Sequence, residues 1–319
     1  MENLAIEKKL KDTKVKTNYR KLLYNQRYLI AMSFPFLIWV AIFAYTPLVG
    51  WVMAFENFKP SHGYFNQKFV GLLHFKEFLT DPTFYQVLKN TFAISMLNLV
   101  FGFFFAILLA ILLNEIKNKF FKRLIQTVSY LPHFVSWVVV VSIFYTILSP
   151  DGGIINQMLL SIGIIKEAQA WLAHPKLFYG FVTIAQVWKE MGWSSIIYLA
   201  AIAGIDQGLY EAAEVDGVGR FGKVWHITLP GIRPTIMLLL VLSIGGFFNG
   251  AGFDPCFLLG NTMTRTYSDS LAVYAFRYGL EMSRYSMSTA ISIFNSIVSV
   301  ILLFSANKLS EKFTGQKVI

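Results

Sequence analysis

The chain has 319 residues, of which 55% are hydrophobic and only 14% charged, with 28 Lys and Arg against 18 Asp and Glu. A soluble domain carries about 25% charged residues, so a soluble globule of this composition could not cover its own surface, and the high hydrophobicity excludes a disordered chain. One cysteine, Cys256, excludes an intramolecular disulfide framework and a cysteine-built zinc site.

In chain order, residues 1–27 form a basic tail with eight Lys and Arg. Attraction to anionic lipid accounts for such a cluster beside a membrane, without nucleic acid. The apolar run behind it is too long for a signal-peptide core, and it reads as a retained first span. A bilayer-crossing helix needs about 20 apolar residues. Stretches that are free of charge, or nearly so, predict six such helices, at about 28–55, 91–114, 125–149, 177–204, 235–258 and 286–307. The fourth is interrupted by the adjacent Lys189 and Glu190, which on a helix diverge by about 100° and need not pair. The run 152–165 is uncharged but too short to cross, and reads as interfacial or re-entrant. Pro35, Pro47 and Pro132 lie inside spans, where kinks are tolerated because neighbours satisfy the freed carbonyls.

Lys and Arg are unevenly shared between the connections. Eighteen lie in the N-terminal tail, the second-to-third and fourth-to-fifth connections and the C-terminal tail, and nine in the alternate segments. Cytoplasmic loops carry the excess, so both termini are expected in the cytoplasm. The expected fold is all-α. It is a polytopic protein of the cell (plasma) membrane with six transmembrane helices, a membrane domain at 28–307, cytoplasmic tails at 1–27 and 308–319, and coupling helices in the cytoplasmic loop 206–234 between the fourth and fifth spans.

That loop contains two nucleotide-binding patterns. Gly217, Gly219 and Gly222 spell GxGxxG, and Gly217, Gly222 and Lys223 spell GxxxxGK. Both need a buried strand before the glycines, and the second needs Ser or Thr after the lysine, where Val224 stands. Residues 206–214 favour helix instead, so nucleotide binding by this chain is not expected. The loop reads better as two short helices at a bend. Asp206 is a candidate N-cap for a helix over 210–215, Gly217 a left-handed terminator, and a second helix follows from Arg220 to about Ile227 before Pro230 and Pro234 break it.

The residues Glu211-Ala212-Ala213, Gly217, Ile227, Leu229 and Pro230 match EAA-x3-G-x9-I-x-L-P at every fixed position. The chain therefore resembles the permease subunits of binding-protein-dependent ATP-binding-cassette importers. The longer pattern, Asp216-Gly217 and residues 225–234, resembles the maltose and multiple-sugar branch, with Val218 where alanine is common. Segments 131–133, 253–254 and 285–290 resemble recurring family segments as well. The stretch 253–280, with Leu258-Leu259-Gly260-Asn261, is similar to permeases for fragments of acidic polysaccharides such as alginate or rhamnogalacturonan. The resemblance implies a division of labour. A second permease subunit completes a heterodimeric pathway, two ATPase subunits each receive one permease's loop, here through Glu211, Ala212, Ala213, Asp216, Gly217, Ile227, Leu229 and Pro230, and an extracellular binding protein delivers a carbohydrate, expected to be an oligosaccharide. ATP and Mg belong to the ATPase. This chain is expected to hold no cofactor, no metal and no catalytic residue.

Polar groups inside a membrane are costly and mark candidate pathways. Sugars offer hydroxyls and apolar ring faces, so Asn249, Asp254, Asn295 and Glu190, with Trp188 and Phe253, are the candidate substrate pathway. Asn98 reads rather as an interhelical hydrogen-bonding residue. Two other functions compete. An ion-coupled secondary transporter would use membrane carboxylates such as Glu190 and Asp254, but no internal repeat is evident and the EAA loop would go unexplained. A membrane enzyme such as a lipid-linked glycosyltransferase would need an acidic or metal-binding cluster, which five scattered histidines do not supply.

Overall fold

The computed structural model describes residues 24–63 and 66–314. The basic tail up to residue 23 and the last five residues of the C-terminal tail lie outside the described residues. The described residues are helical, with no strand among them and one isolated bridge between Glu56 and Phe69. Two units are distinguished, residues 1–52 and 53–319.

The first unit contains helix α1, Arg27–Val40, which runs on through a π turn, Ala41–Tyr45, and a 3-10 stretch, Thr46–Phe55. The whole stretch Arg27–Phe55 is 29 residues long and apolar enough to cross a membrane. Pro35 sits inside the helix without ending it. Every side chain from Tyr24 to Val49 is exposed, including Phe34, Phe36 and Trp39. In water this would be untenable; in lipid an apolar helix needs only its own backbone hydrogen bonds.

The second unit begins with α2, Leu73–Thr80, and the long α3, Pro82–Glu115. Asp81 starts α3 by accepting the Thr83 N–H at 2.8 Å, with Pro82 in the first turn, where its missing N–H is harmless. The 34 residues of α3 span about 51 Å, well beyond a hydrocarbon core of about 30 Å. The helix thus starts nine residues before the expected 91, because a capping signal rather than a charge sets its end.

The third expected span is not one helix. Amphipathic α4, Lys119–Tyr130, and α5, Trp137–Leu148, are joined by a 3-10 turn, Leu131–Phe134, and bent by 104°. Buried Pro132 interrupts the backbone ladder there, and Ser136 restarts it as N-cap of α5. The short run after α5 holds α6, Ile154–Ser161. Next comes α7, Phe178–Ala203, which carries Lys189 and Glu190.

The coupling segment follows as α8, Gln207–Val215, and α9, Arg220–Lys223. A π turn, Val224–Thr228, leads directly into α10, Leu229–Gly245. Contrary to expectation, Pro230 and Pro234 do not break this segment, and Arg220–Gly245 is one helix of 26 residues. Pro230 lies in the first turn after the π turn, whose wider backbone relieves the clash of a proline ring with the preceding turn. The break in the fifth expected span comes later. A 3-10 turn, Phe247–Asn249, and Gly252, with φ of 71°, separate α10 from α11, Phe253–Leu259. Helices α12, Arg265–Ser268, and α13, Leu271–Phe276, lead to α14, Tyr285–Thr314.

Four helical stretches are long and apolar enough to cross a membrane, or five if the bent α4–α5 pair is one span. In lipid, close backbone approach by small residues replaces the hydrophobic drive of water. Ala106 and Ala110, one turn apart on α3, accordingly meet Tyr198 and Ile202 of α7 and Ile232 of α10. Gly192 of α7 is closer still, since a β-carbon there would collide with the Ser129 carbonyl at the end of α4. A second cluster joins α3, α5, α7 and α11 around Ile94, Val140, Val182 and Cys256. A third joins α2, α3, α13 and α14 around Phe78, Phe84, Leu271 and Ile291.

Candidate functional site

The first site is the segment α8–α9. Asp206 Oδ1 accepts the Gly208 N–H at 2.9 Å, so the expected N-cap is formed. At the other end the Gly217 N–H donates to the Glu214 carbonyl at 3.1 Å and the Val218 N–H to the Ala213 carbonyl at 2.8 Å. This pair of bonds is a Schellman cap, which needs a left-handed residue, and Gly217 has φ of 72°. Two side-chain links then tie α9 and the π turn after it to α8. Lys223 Nζ donates to Glu214 Oε2 at 3.0 Å, and Tyr210 Oη meets Thr228 Oγ1 at 2.9 Å. The hydrogen bond and charge of Lys223, with Lys117 in support, hold the Glu214 carboxyl below its ordinary range.

The residues of the sequence motif divide by exposure. Glu211, Ala212, Asp216, Gly217 and Pro230 are exposed. Ala213 is buried, while Ile227 and Leu229 are half-buried, with Leu229 packed on the α3–α7–α10 cluster. Exposed apolar side chains accompany them: Val215, Phe221 and Trp225 are 89%, 93% and 70% exposed. Sequence reasoning gave none of these three a part in the site, with Trp225 present only inside the longer family pattern, and it missed the Glu214–Lys223 and Tyr210–Thr228 braces. Bulky apolar residues spaced through a charged loop were the available signal for the former.

The second site is a cavity of about 380 Å³ between α3, α7 and α10. Ser95, Asn98, Gln186, Glu190, Ser194 and Ser243 supply its polar lining, and Phe103, Trp193, Tyr198 and Phe247 its aromatic one. Asn98 donates to the Gly250 carbonyl at 2.9 Å, which is the interhelical bond expected of it. Its Oδ1 and the Ser95 Oγ, one turn away, have no protein partner although both atoms are buried. Buried polar atoms are rarely left so, and here they adjoin a space that a polar ligand can fill.

Glu190 does not stand apart from Lys189. Its Oε2 lies 2.7 Å from His133 Nδ1 and its Oε1 3.6 Å from Lys189 Nζ, while Lys189 also donates to the His133 carbonyl. The His133 ring stacks on Trp193 with centroids 4.6 Å apart, and Lys189 lies over the Trp137 ring. Long side chains reach back to one point, the 3-10 turn of the α4–α5 break, although their α-carbons diverge. Lys189 is buried, and a buried charge requires such partners. His133 was visible in sequence only as part of a recurring segment.

The other candidate pathway residues do not gather at this cavity. Asn295 Nδ2 of α14 donates to Asn249 Oδ1 at 2.8 Å. Asn295 and Phe253 line a second cavity of about 510 Å³ beside α13 and α14. Trp188 packs against the α3–α5–α7–α11 cluster, and Asp254 is exposed in the first turn of α11. Among the described residues no group of three His, Cys, Asp or Glu side chains is arranged to hold a metal.

A helical membrane chain with a capped loop that exposes apolar side chains, and a polar cavity between three of its helices, has the build of a transport subunit. Residues 98–314 match the family described as binding-protein-dependent transport system inner membrane component, and the chain belongs to that family. It is 40% identical over 291 residues to Protein LplB of Bacillus subtilis, covering 91% of each chain. It is 42% identical to the polygalacturonan/rhamnogalacturonan transport system permease protein YteP of the same organism, covering 91% of this chain and 90% of that one. Its fold matches a subunit in the crystal structure of a bacterial ABC transporter involved in the import of the acidic polysaccharide alginate. The TM-score is 0.85 at 38% identity, and 93% of this chain and 99% of that one are covered. A second match, with TM-score 0.84 and 38% identity over 93% and 98% of the two chains, is the alginate transporter in complex with an alginate pentasaccharide-bound periplasmic protein. The chain is thus a multi-pass membrane permease subunit.

Proposed function

We propose that this chain is one of two permease subunits of an ATP-binding-cassette importer that carries an oligosaccharide into the cytoplasm. The carrying observation is the α8–α9 segment: an EAA loop with a formed Schellman cap at Gly217 and an exposed apolar surface, at the base of a continuous helix. The names of the relatives, which include polysaccharide permeases, support a sugar as cargo.

In this reading the membrane domain has six spans, with α7 and the α4–α5 pair counted among them, and both termini are cytoplasmic. The distribution of Lys and Arg supports that orientation. Two ATPase subunits bind ATP and Mg, and one of them receives Glu211, Ala212, Ala213 and Gly217 together with Phe221 and Trp225. The loop joins Arg220–Gly245, a lever about 39 Å long, with no intervening hinge. Its far end leads to Phe247 and Gly250, which line the cavity. Displacement of α8 and α9 on ATPase closure therefore moves the cavity wall. The sugar meets Asn98, Gln186 and Glu190 there, and Asn249, Asn295 and Phe253 on the α10–α14 side. A binding protein delivers it from outside, and the second permease supplies the other wall.

The test is purification of the chain from its native membrane. An ATPase and a second permease should co-purify, and Phe221→Ala with Trp225→Ala should release the ATPase while leaving the permease pair together. Retention of the ATPase by that double variant would remove the loop from the interface.

A further inference from the structure

At the N-terminal end of α7, about 39 Å along the helix from the coupling loop, the segment 165–177 and Tyr267 of α12 form a groove of about 710 Å³. Trp171 and Tyr267 are half-buried in it, and Gln169, His174 and Lys176 add polar groups. Lys176 is the one permanently charged side chain among the lining residues, while Lys166 and Glu167 of the same segment are exposed and do not line the groove.

The aromatic walls are fixed from behind. Buried Asn156 accepts from Trp171 Nε1 at 3.0 Å and from the Gln169 N–H at 2.9 Å, and it donates to the Gln169 carbonyl at 3.0 Å. Asn261 donates to the Leu172 carbonyl at 2.8 Å, and the Tyr267 ring packs on Tyr179 at 5.5 Å. Asn156 also donates to the Ser149 carbonyl at 2.8 Å, which ties the segment that carries the indole to the end of α5. Ligand sites of about 300–1,000 Å³ combine apolar and aromatic walls with a few placed polar groups. Flat rings suit the apolar faces of pyranoses, and an ammonium suits a carboxylate.

We propose that this groove is an outer binding site for an acidic oligosaccharide, with uronic-acid rings against Trp171 and Tyr267 and a carboxylate on Lys176. It holds the sugar outside the membrane before the sugar passes to the cavity between α3, α7 and α10. The assignment rests on the reading of the chain as a sugar-importer subunit.

The test uses the complete importer in nanodiscs without its binding protein, probed with trigalacturonate and with maltotriose by saturation-transfer NMR. Trigalacturonate should give a saturable signal and maltotriose none. Lys176→Glu, at an exposed position, should weaken trigalacturonate binding by about fivefold or more, and Lys176→Arg should retain it. Trp171→Leu, which keeps apolar bulk without a flat ring, should weaken it as well. Equal binding by wild type and Lys176→Glu, or equal binding of the two sugars, overturns the proposal. So does a Lys176→Glu importer that keeps the sugar signal and loses capture of the loaded binding protein, which would make the groove a protein-docking surface. ATP-driven uptake by the same importer in proteoliposomes separates the two readings. Sugar uptake without groove binding rejects the groove alone, whereas failure to take up any oligosaccharide rejects the importer reading.

Discussion

Replacing Gly217 tests the coupling loop at its bend. The residue has φ of 72°, and a β-carbon there would meet no atom within 4 Å. A β-carbon there therefore carries a backbone cost and no packing cost. For an L-residue the left-handed region costs roughly 1–2 kcal/mol, and valine, branched at Cβ, belongs at the upper end of that range. One to two kcal/mol is a factor of roughly 5–30 in a two-state population. The capped geometry, with its bonds from Gly217 and Val218 to Glu214 and Ala213, would lose that much of its advantage over an uncapped one. Gly217→Val should therefore assemble with its partners yet show several-fold less uptake per ATP hydrolysed. Gly217→Asn, which tolerates the left-handed region, should stay near wild type. The assay is uptake and ATP hydrolysis in proteoliposomes at matched complex yield. A Gly217→Val importer coupled as tightly as wild type, or a Gly217→Asn importer as damaged as it, would refute the reasoning.

Glu211→Ala removes an exposed carboxylate and should leave folding intact while weakening ATPase capture, at a cost of about 2–5 kcal/mol if the charge is desolvated in the complex; unchanged capture and transport would take Glu211 out of the interface. The purified chain alone should not bind labelled ATP, because Val224 stands where a Mg-holding hydroxyl is needed and α8 precedes the glycines; saturable micromolar binding would contradict this. The Glu214 carboxyl is held below its ordinary range, so the Glu214–Lys223 link contributes above the ordinary carboxylate pKa and is lost only as pH falls through the lowered one. Coupling should accordingly be flat around neutral pH, and Glu214→Gln, which removes this charge at every pH, should lower it there. Asn249→Leu should lower sugar uptake more than complex yield, since it removes the partner of Asn295 Nδ2; normal uptake would make the pair structural. Asp254→Asn is the matching test for Asp254, which is exposed in the first turn of α11; normal uptake would leave that carboxylate without a part in transport.

What was legible in sequence is what local chemistry decides. The Asp206 cap, helix α8 and the turn at Gly217 follow from residues within a dozen positions of one another, and all three are formed. The pattern of apolar runs located α1, α3 and α14, but charge counting misplaced the start of α3, where Asp81 and Pro82 carry the signal. The breaks at Leu131–Phe134 and between α10 and α11 were read as continuous spans, because a proline or glycine in a membrane helix can kink it slightly or end it. Neighbouring elements decide which. The polar pairs that join distant helices were the least legible part. His133 and Glu190 are 57 residues apart, and Asn249 and Asn295 are 46 apart. Only the packing of α7 on the α4–α5 break, and of α10 on α14, brings those pairs together.

The most direct test of the central claim is ATP-driven uptake by the importer rebuilt from this chain. The chain would be purified with its co-purifying subunits, placed in proteoliposomes with ATP inside and supplied outside with the binding protein and labelled oligogalacturonides or neutral oligosaccharides. Uptake is expected only when ATP, the binding protein and a suitable sugar are all present, and it should disappear in Phe221→Ala with Trp225→Ala. Uptake that proceeds without ATP and follows an imposed ion gradient would contradict the account.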